Sequence, residues 1–371
     1  MDLQIVQPTF MGSAPRLWES IYQGIMANLE KAPASKRSLF YLAYSISNNF
    51  HSALRFIRFL EIDLIGRNSI QSFFFGLYQF AVFLTLFIPN LILDFLVLSK
   101  IRNATGGKLR GTLSGGGALP KHIDEFFNNI GIPLFEGYGL TETSPIISIR
   151  TFEKLIIGTV GPIYANTEIR LIDINNGKQI YPGSNGIGVK GEIHIKGPQV
   201  MKGYYKNKEA TAKVINDGWF NTGDLGVMTY NNCLKIVGRS KETIVLLSGE
   251  NVEPTPIENM LLQSEFIDQC MVVGQDKKFL TVLIVPKLDK FKQNSSTLES
   301  LSGDKEAQRI IREEIKKIVS GENGFKSFER IQDFRLIPKA FELGDELTAK
   351  LSVKRHVVNE KYSKLFESMY E

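Results

Sequence analysis

Runs of apolar residues divide the chain before any single residue does. The strongest lies at 70–98. Residues 73–88 hold only Gln79 as a strongly polar side chain, Pro89-Asn90 interrupts, and residues 91–98 continue with Asp94 inside them. The uninterrupted run falls short of the ~20 residues that span a bilayer, and the proline predicts two short helices in place of one. An interfacial, monotopic hairpin is the preferred reading, with a buried helix pair and a true span as alternatives. Just before it, residues 31–58 set Lys31, Lys36, Arg37, His51, Arg55 and Arg58 among Phe, Leu and Tyr. That pattern predicts a basic amphipathic helix, either lying on a membrane or forming an ordinary solvated surface. Residues 1–30 predict a strand ending in Pro8-Thr9-Phe10, then a helix from about Pro15.

From 155 to 200 the pattern changes to short alternating phrases broken by Gly and Pro, which predicts a small barrel or sheet meander. A strand is predicted over 233–237. Beyond it, Glu253-Pro254 suits a helix start. Residues 287–325 predict polar, mostly solvated helix, and the tail 326–371 returns to a core and ends in a basic amphipathic helix.

Composition adds bounds. A chain of 371 residues has room for two domains. The net charge of +5 suits an anionic membrane surface or a nucleotide without requiring either, and no nucleic-acid partner is expected. Two cysteines, Cys233 and Cys270, show no pairing pattern, which points to a reducing compartment and away from a metal site. The opening residues predict no signal peptide. The expected location is cytoplasmic, peripheral on a membrane.

The densest chemistry lies at 111–145, GTLSGGGALPKHIDEFFNNIGIPLFEGYGLTETSP. Three glycines, Gly115 to Gly117, open it, followed by a helical phrase with Pro120 and Asp124 near its start. A short β phrase at 132–135 leads into a turn over 136–143. Gly137 and Gly139 allow close approach of backbone to a flat ligand. Tyr138 offers an aromatic face, Thr141 a hydroxyl for a phosphate oxygen, and Glu142 a hard carboxylate suited to Mg²⁺. Alone, this string also reads as a Gly-rich turn capped by Thr, and Asp224 in its TGD turn reads as an Asx turn.

The ordered set of motifs decides between those readings. GYGLTETSP resembles the signature of the adenylate-forming, AMP-binding superfamily. SGGGALP at 114–120, GWFNTGDLG at 218–226 and IVGRSKETIVLLSGENVEP at 236–254 match in the same order. QPTFMGSAPRLWESIYQGI at 7–25 and LSKIRNATGGKLRGTLSGG at 98–116 are similar to the long-chain fatty acyl-CoA ligase branch. The resemblance implies a mixed α/β fold: part of a large AMP-binding domain over 1–238, a hinge at 239–241 around Lys241, and a small mobile C-terminal domain over 242–371. It implies ligase chemistry in which a long-chain fatty acid and ATP give an acyl-adenylate. The thiol of coenzyme A, or of acyl carrier protein, then takes the acyl group.

The same resemblance distributes roles. Thr141 contacts phosphate and Glu142 holds Mg²⁺. Tyr138 stacks on adenine, and Gly116 and Gly117 line the adenine and acyl side. Glu136, Gly137 and Gly139 belong to the same cofactor-binding turn, Asp224 and Arg239 hold the ribose, and Gly249, beside Ser248, lies near the thiol tunnel. The family's adenylation lysine aligns with Ser352. Lys350 and Lys354 flank it, and Lys350 is the preferred catalytic candidate. The family's Ser/Thr/Gly-rich phosphate loop has no counterpart in the sequence. The chain is therefore expected to resemble the C-terminal portion of a longer ligase, with a non-catalytic membrane-associated fragment, or a pairing with a separately encoded N-terminal half, as the alternative to an active enzyme. Alone, it is expected not to catalyse fatty-acid-dependent ATP–pyrophosphate exchange; turnover of ~1 s⁻¹ or more would refute this.

Overall fold

The computed structural model describes residues 3–66, 69–183, 186–291, 297–348 and 352–371. The chain divides into two compact units, 1–236 and 237–371.

In the first unit a single helical turn, α1 (Leu3–Val6), precedes strand β1 (Phe10–Ser13) and helices α2 (Pro15–Glu30) and α3 (Ala34–Ile57). The strand expected to end at Phe10 instead begins there, where the backbone comes into register with the strand at 111–114. β1 lies parallel to β2 (Gly111–Ser114), Phe10 opposite Gly111 and Ser13 opposite Ser114. Pro15 sits at the start of α2, where its missing N–H costs nothing.

Helix α4 (Ser69–Leu93) runs antiparallel to α3. Phe50 stacks on Phe83 with ring centroids 5.1 Å apart, and Phe56 meets Phe75 edge-on at 4.8 Å. Pro89 does not divide the segment, contrary to the sequence pattern. The helix passes through it, widens into a π-helical stretch at Asp94–Leu98 and continues as α5 (Ser99–Ala104). The proline removes one donor, but abandoning the helix would leave many more backbone groups unpaired in an apolar segment. Packing holds both sides of it: Phe83 and Phe87 on Phe50, and Leu93, Val97 and Leu98 on the core. This 35-residue helix, Ile70–Ala104, is long and apolar enough to cross a membrane, and only 6% of its most apolar window is buried. Burial therefore does not explain its composition.

The central sheet has the order β1-β2-β3-β4, with β3 (Leu134–Gly139) parallel to β2 and β4 (Ile146–Ile149) antiparallel to β3. Helix α6 (Lys121–Asn129) packs with α2 over a core of Trp18, Leu98, Phe126, Phe127 and Leu134. Beneath β3 lies a buried ionic cluster. Arg150 donates twice to Asp124 (2.7 and 2.8 Å), once to Glu136 (2.9 Å), and through Nε to the Thr159 carbonyl (2.5 Å). Asp124 also accepts from the Gly158 amide, and Glu136 from the Leu119 amide.

The alternating region forms a second, open antiparallel sheet of β5 (Glu168–Ile172), β6 (Gln179–Tyr181), β7 (Lys190–Lys196), β9 (Trp219–Met228) and β10 (Leu234–Arg239), in the order β10-β9-β7-β5-β6. The helix α7 (Lys208–Val214) and the short strand β8 (Ile215–Asn216) precede β9. Ile169, Leu171, Ile193 and Ile195 supply the alternate buried positions.

The second unit opens with the pair β11 (Ile244–Val245) and β12 (Asn251–Val252), then α8 (Pro254–Leu261), with Glu253 at its N-cap. Its sheet is β13 (Ile267–Val273), β14 (Leu280–Pro286) and β15 (Ile331–Leu336), with β14 buried along its whole length. Between β14 and β15 lie α9 (Leu298–Ser302) and α10 (Lys305–Ile318). α10 is less solvated than its composition suggests: Ala307, Ile311 and Ile315 recur every fourth residue and are buried. The tail ends in α11 (Arg355–Lys361) and α12 (Ser363–Glu367).

Because Arg150 is the counter-charge of two buried carboxylates, Arg150→Met is expected to destabilise the chain by about 3–5 kcal/mol. The urea-unfolding midpoint followed by circular dichroism measures this, and a loss under ~1 kcal/mol would show the cluster to be dispensable.

Candidate functional site

Two glycine-bearing segments lie side by side at the ends of β2 and β3. Ser114 at the end of β2 is in register with Glu136 on β3. The Gly115–Gly117 loop and the Gly137-Tyr138-Gly139 segment therefore share the carboxyl edge of parallel strands, the usual place for ligands in open α/β sheets. β3 runs on through residues 136–139, where a turn was expected, because Gly137 and Tyr138 pair with Ile149 and Ser148 of β4. Gly139 has no room for a side chain: a Cβ there would lie 1.6 Å from the Pro145 carbonyl oxygen. The turn itself is a 3-10 turn at Thr141–Thr143. The buried Thr143 hydroxyl locks it, accepting from the Leu140 amide (3.0 Å) and lying 2.7 Å from the Pro145 carbonyl. Thr141 and Glu142 are left at the surface.

Tyr138 and Asp224, 86 residues apart, meet here: the phenol donates to the Asp224 carboxylate at 2.7 Å. Asp224 lies within β9, not on a free loop. His194 and Glu192 of β7 pair with Asn221 and Leu225, so residues 222–224 bulge opposite a single partner. Gly223 takes φ +70° and the Thr222 hydroxyl accepts from the Asp224 amide. The bulge re-aims the carboxylate towards Tyr138.

Glu142 is held from a second direction. Its Oε1 accepts from the Tyr204 phenol (2.9 Å), and its carbonyl accepts from the Met201 amide (2.8 Å). Burial, then the bond to Glu142, push the Tyr204 phenol above its ordinary pKa. A half-exposed carboxylate beside the Thr141 hydroxyl gives hard oxygen donors that fit Mg²⁺ held jointly with phosphate oxygens. Among the described residues no cluster of three or more His, Cys, Asp or Glu could hold a metal by itself.

Glu136 faces inward, onto Arg150 and the Leu119 amide. Burial raises its carboxyl to about 7, against the pull of Arg150. Burial alone would lower the Arg150 guanidinium, but Asp124 and Glu136 outweigh it and push it up. The sequence pattern singles out neither Arg150 nor Tyr204. Nothing local marks Arg150, and Tyr204 reads as one of two adjacent surface tyrosines until the fold brings it to Glu142.

Arg239, Lys241 and Gly249 belong to the second unit. Arg239 is exposed at the end of β10, its carbonyl accepting from the Glu242 amide. Lys241 is exposed, and Gly249 occupies an exposed turn at φ +91°. Lys350 lies outside the described residues. Ser352 donates through its amide to the Thr348 hydroxyl (3.1 Å), and Lys354 donates through Nζ to the Gly344 carbonyl (2.9 Å). Arg355 pairs with Glu258 at 2.7 Å and also donates to the Val272 carbonyl.

Residues 1–205 match the AMP-binding enzyme family, and residues 241–371 match the AMP-binding enzyme C-terminal domain. The chain belongs to the AMP-binding enzyme family. It is 33% identical over 391 residues to a probable acyl-activating enzyme of Arabidopsis thaliana chloroplasts, covering 100% of this chain and 53% of that protein. It is 31% identical to a chloroplastic long-chain-fatty-acid–[acyl-carrier-protein] ligase of the same plant (100% and 51%). It is 32% identical to a long-chain-fatty-acid–CoA ligase of Mycobacterium tuberculosis (99% and 56%). The chain thus spans about half the length of the curated relatives it matches. In fold it is similar to the A-PCP didomain of carboxylic acid reductase from Segniliparus rugosus, solved with AMP: TM-score 0.67, 21% identity, covering 100% of this chain and 42% of that one.

The raised Glu136 sets a pH dependence with a definite sign. Its protonated form is favoured in the fold, so its contribution to stability is complete below about 4.5 and is lost as pH rises through about 7. Glu136→Gln is expected to lack this loss, so its stability relative to wild type should rise between pH 5 and pH 8 in urea titrations. A difference that is flat, or that falls with pH, would rule this out.

Proposed function

We propose that the chain carries the adenylate-handling part of a long-chain fatty acid ligase. The observation that supports this most is the meeting of Tyr138 and Asp224, from two separate motifs, on the strand next to the one that leads into the Gly115–Gly117 loop. Tyr138 presents an aromatic face to adenine and Asp224 accepts from the ribose hydroxyls, while Gly116, Gly117, Gly137 and Gly139 give the base and acyl group close passage along the backbone. In the first half-reaction a fatty carboxylate oxygen bonds to the α-phosphorus of ATP, and the bond to pyrophosphate breaks. In the second, a thiol sulfur of coenzyme A or acyl carrier protein bonds to the acyl carbon, the carbon–oxygen bond breaks, and AMP leaves with that oxygen.

Thr141 donates to phosphate, and Glu142 would hold Mg²⁺, which neutralises charge building on the phosphoryl oxygens. Tyr204 keeps the Glu142 carboxylate in place. Arg239 adds a ribose or phosphate contact, Lys241 is the hinge on which the second unit turns between half-reactions, and Gly249 lines the thiol path. Lys350 supplies the positive charge of adenylation. The substrate reaches the enzyme at a membrane surface on the cytoplasmic side.

The 371-residue chain is expected to bind AMP in calorimetric titration. Tyr138→Ala and Asp224→Asn should each weaken that binding about tenfold or more, roughly 1.4 kcal/mol or above, while leaving the circular dichroism spectrum unchanged. Failure of the wild type to bind, or binding by both variants as tight as that of the wild type, would reject the assignment.

A further inference from the structure

The long apolar helix is exposed along its length and closed at both ends. Phe74, Leu77, Leu84, Ile88, Leu91 and Phe95 follow one another at helical spacing on the face away from α3, each about half or more exposed. A contiguous exposed apolar surface of this kind marks a protein or membrane contact. α4 itself contains no charged residue, and the 29 residues 32–60 contain no Asp or Glu; Lys36, Arg37 and Arg58 are exposed there, while Arg55 turns inward to the Asn129 side chain. The α3–α4 pair therefore offers apolar and aromatic surface together with positive charge of one sign. That combination complements an anionic lipid leaflet, whereas two copies of it would repel.

Both ends of α4 are fixed to the same globular unit. On the amino side, residues 59–66 dock on the turn between β9 and β10. The Asn231 side chain donates to the Phe59 and Glu61 carbonyls (3.1 and 2.8 Å), and the Tyr230 amide donates to the Asp63 carbonyl (2.8 Å). Gly66 and Ser69 are three residues apart, at most about 11 Å of chain. On the carboxyl side, Arg102 clasps Asp94 and donates to the Ile130 carbonyl (2.7 Å), and Leu98 is fully buried. α3 holds the middle, with Phe40, Ala43, Phe50 and Ala53 buried and the Ser47 hydroxyl bonded to the Asn129 carbonyl. A helix of 25 residues, roughly 37 Å long, would need its two ends on opposite sides of a ~30 Å hydrocarbon layer to cross it. These tethers keep both on one side.

We infer that α4 lies in the plane of a single anionic leaflet, its outer face immersed about 5–10 Å at the headgroup–acyl boundary along its whole length, with α3 above it. This deepens the membrane contact proposed above and rests on it. The test reads lipid depth, not nucleotide binding, so it fails separately from the ligase assignment.

Cys233 and Cys270 are buried, so Phe74→Cys, Leu84→Cys and Leu91→Cys each add one accessible thiol for a polarity-sensitive fluorophore. With phosphatidylglycerol–phosphatidylcholine vesicles, all three labels should brighten, and a nitroxide near the headgroup should quench them more than one near the chain terminus. A Leu84 label quenched most by the deep nitroxide, with the other two shallow, would indicate a span and overturn the inference. Failure of the folded wild type to float with such vesicles would overturn it too, leaving protein as the cover of this face. Leu84→Glu with Ile88→Glu is expected to lower flotation at least tenfold without changing AMP binding. Lys36→Glu with Arg37→Glu should remove the preference for phosphatidylglycerol. Undiminished flotation of the first pair would place the contact elsewhere, and an unchanged lipid preference in the second would refute the anionic requirement.

Discussion

The buried guanidinium of Arg150 joins the parts of the first unit that carry chemistry. It reaches α6 through Asp124, β3 through Glu136 and the loop before the second sheet through the Thr159 carbonyl. Each partner alone would be a costly buried charge. Together they fix the height of β3 against α6, and through the Leu119 amide they also fix the loop that follows Gly117. The candidate nucleotide edge is thus set by a buried interaction beneath it. The cluster is buried and each of its charged groups is hydrogen-bonded, so any displacement of β3 breaks several charge-assisted hydrogen bonds at once.

Above that platform the site is assembled by the two sheets of the first unit. The central sheet supplies Tyr138 and the 141–143 turn, while the second sheet and its loop supply Asp224 and Tyr204. Asp224 comes from a bulge in β9, and Tyr204 from the segment between β7 and α7 whose Met201 amide bonds the Glu142 carbonyl. Strands hold both partners of the Tyr138–Asp224 pair, so their contact is fixed by the two sheets. Glu142, half-exposed on a single helical turn, is tied to the same second-sheet loop through both its carboxylate and its carbonyl.

The apolar helix shows how little local pattern decides between environments. Its composition alone admits a core helix, a span or an interfacial element, and its proline even argued for a break. Packing against α3 and fixed ends chose a continuous helix, because the backbone beside Pro89 retains its remaining hydrogen bonds only by staying helical.

Sequence alone determined the family, the order of the motifs and the identity of the residues at the candidate edge, since glycine, tyrosine, threonine and carboxylates at fixed spacing are local properties of the chain. It also placed α8 after Glu253-Pro254 and the alternating strands of the second sheet, because capping and period-two burial are local too. Tertiary structure decided what spacing cannot encode. It paired Arg150 with two carboxylates, brought Tyr204 to Glu142 across 62 residues, turned Glu136 inward from the ligand edge, and buried one face of α10. It also extended β3 through its glycines, because hydrogen bonds to β4 outweigh the turn preference of Gly137 and Gly139. These are contacts between distant segments, and their energies depend on burial and register, which exist only once the chain has folded.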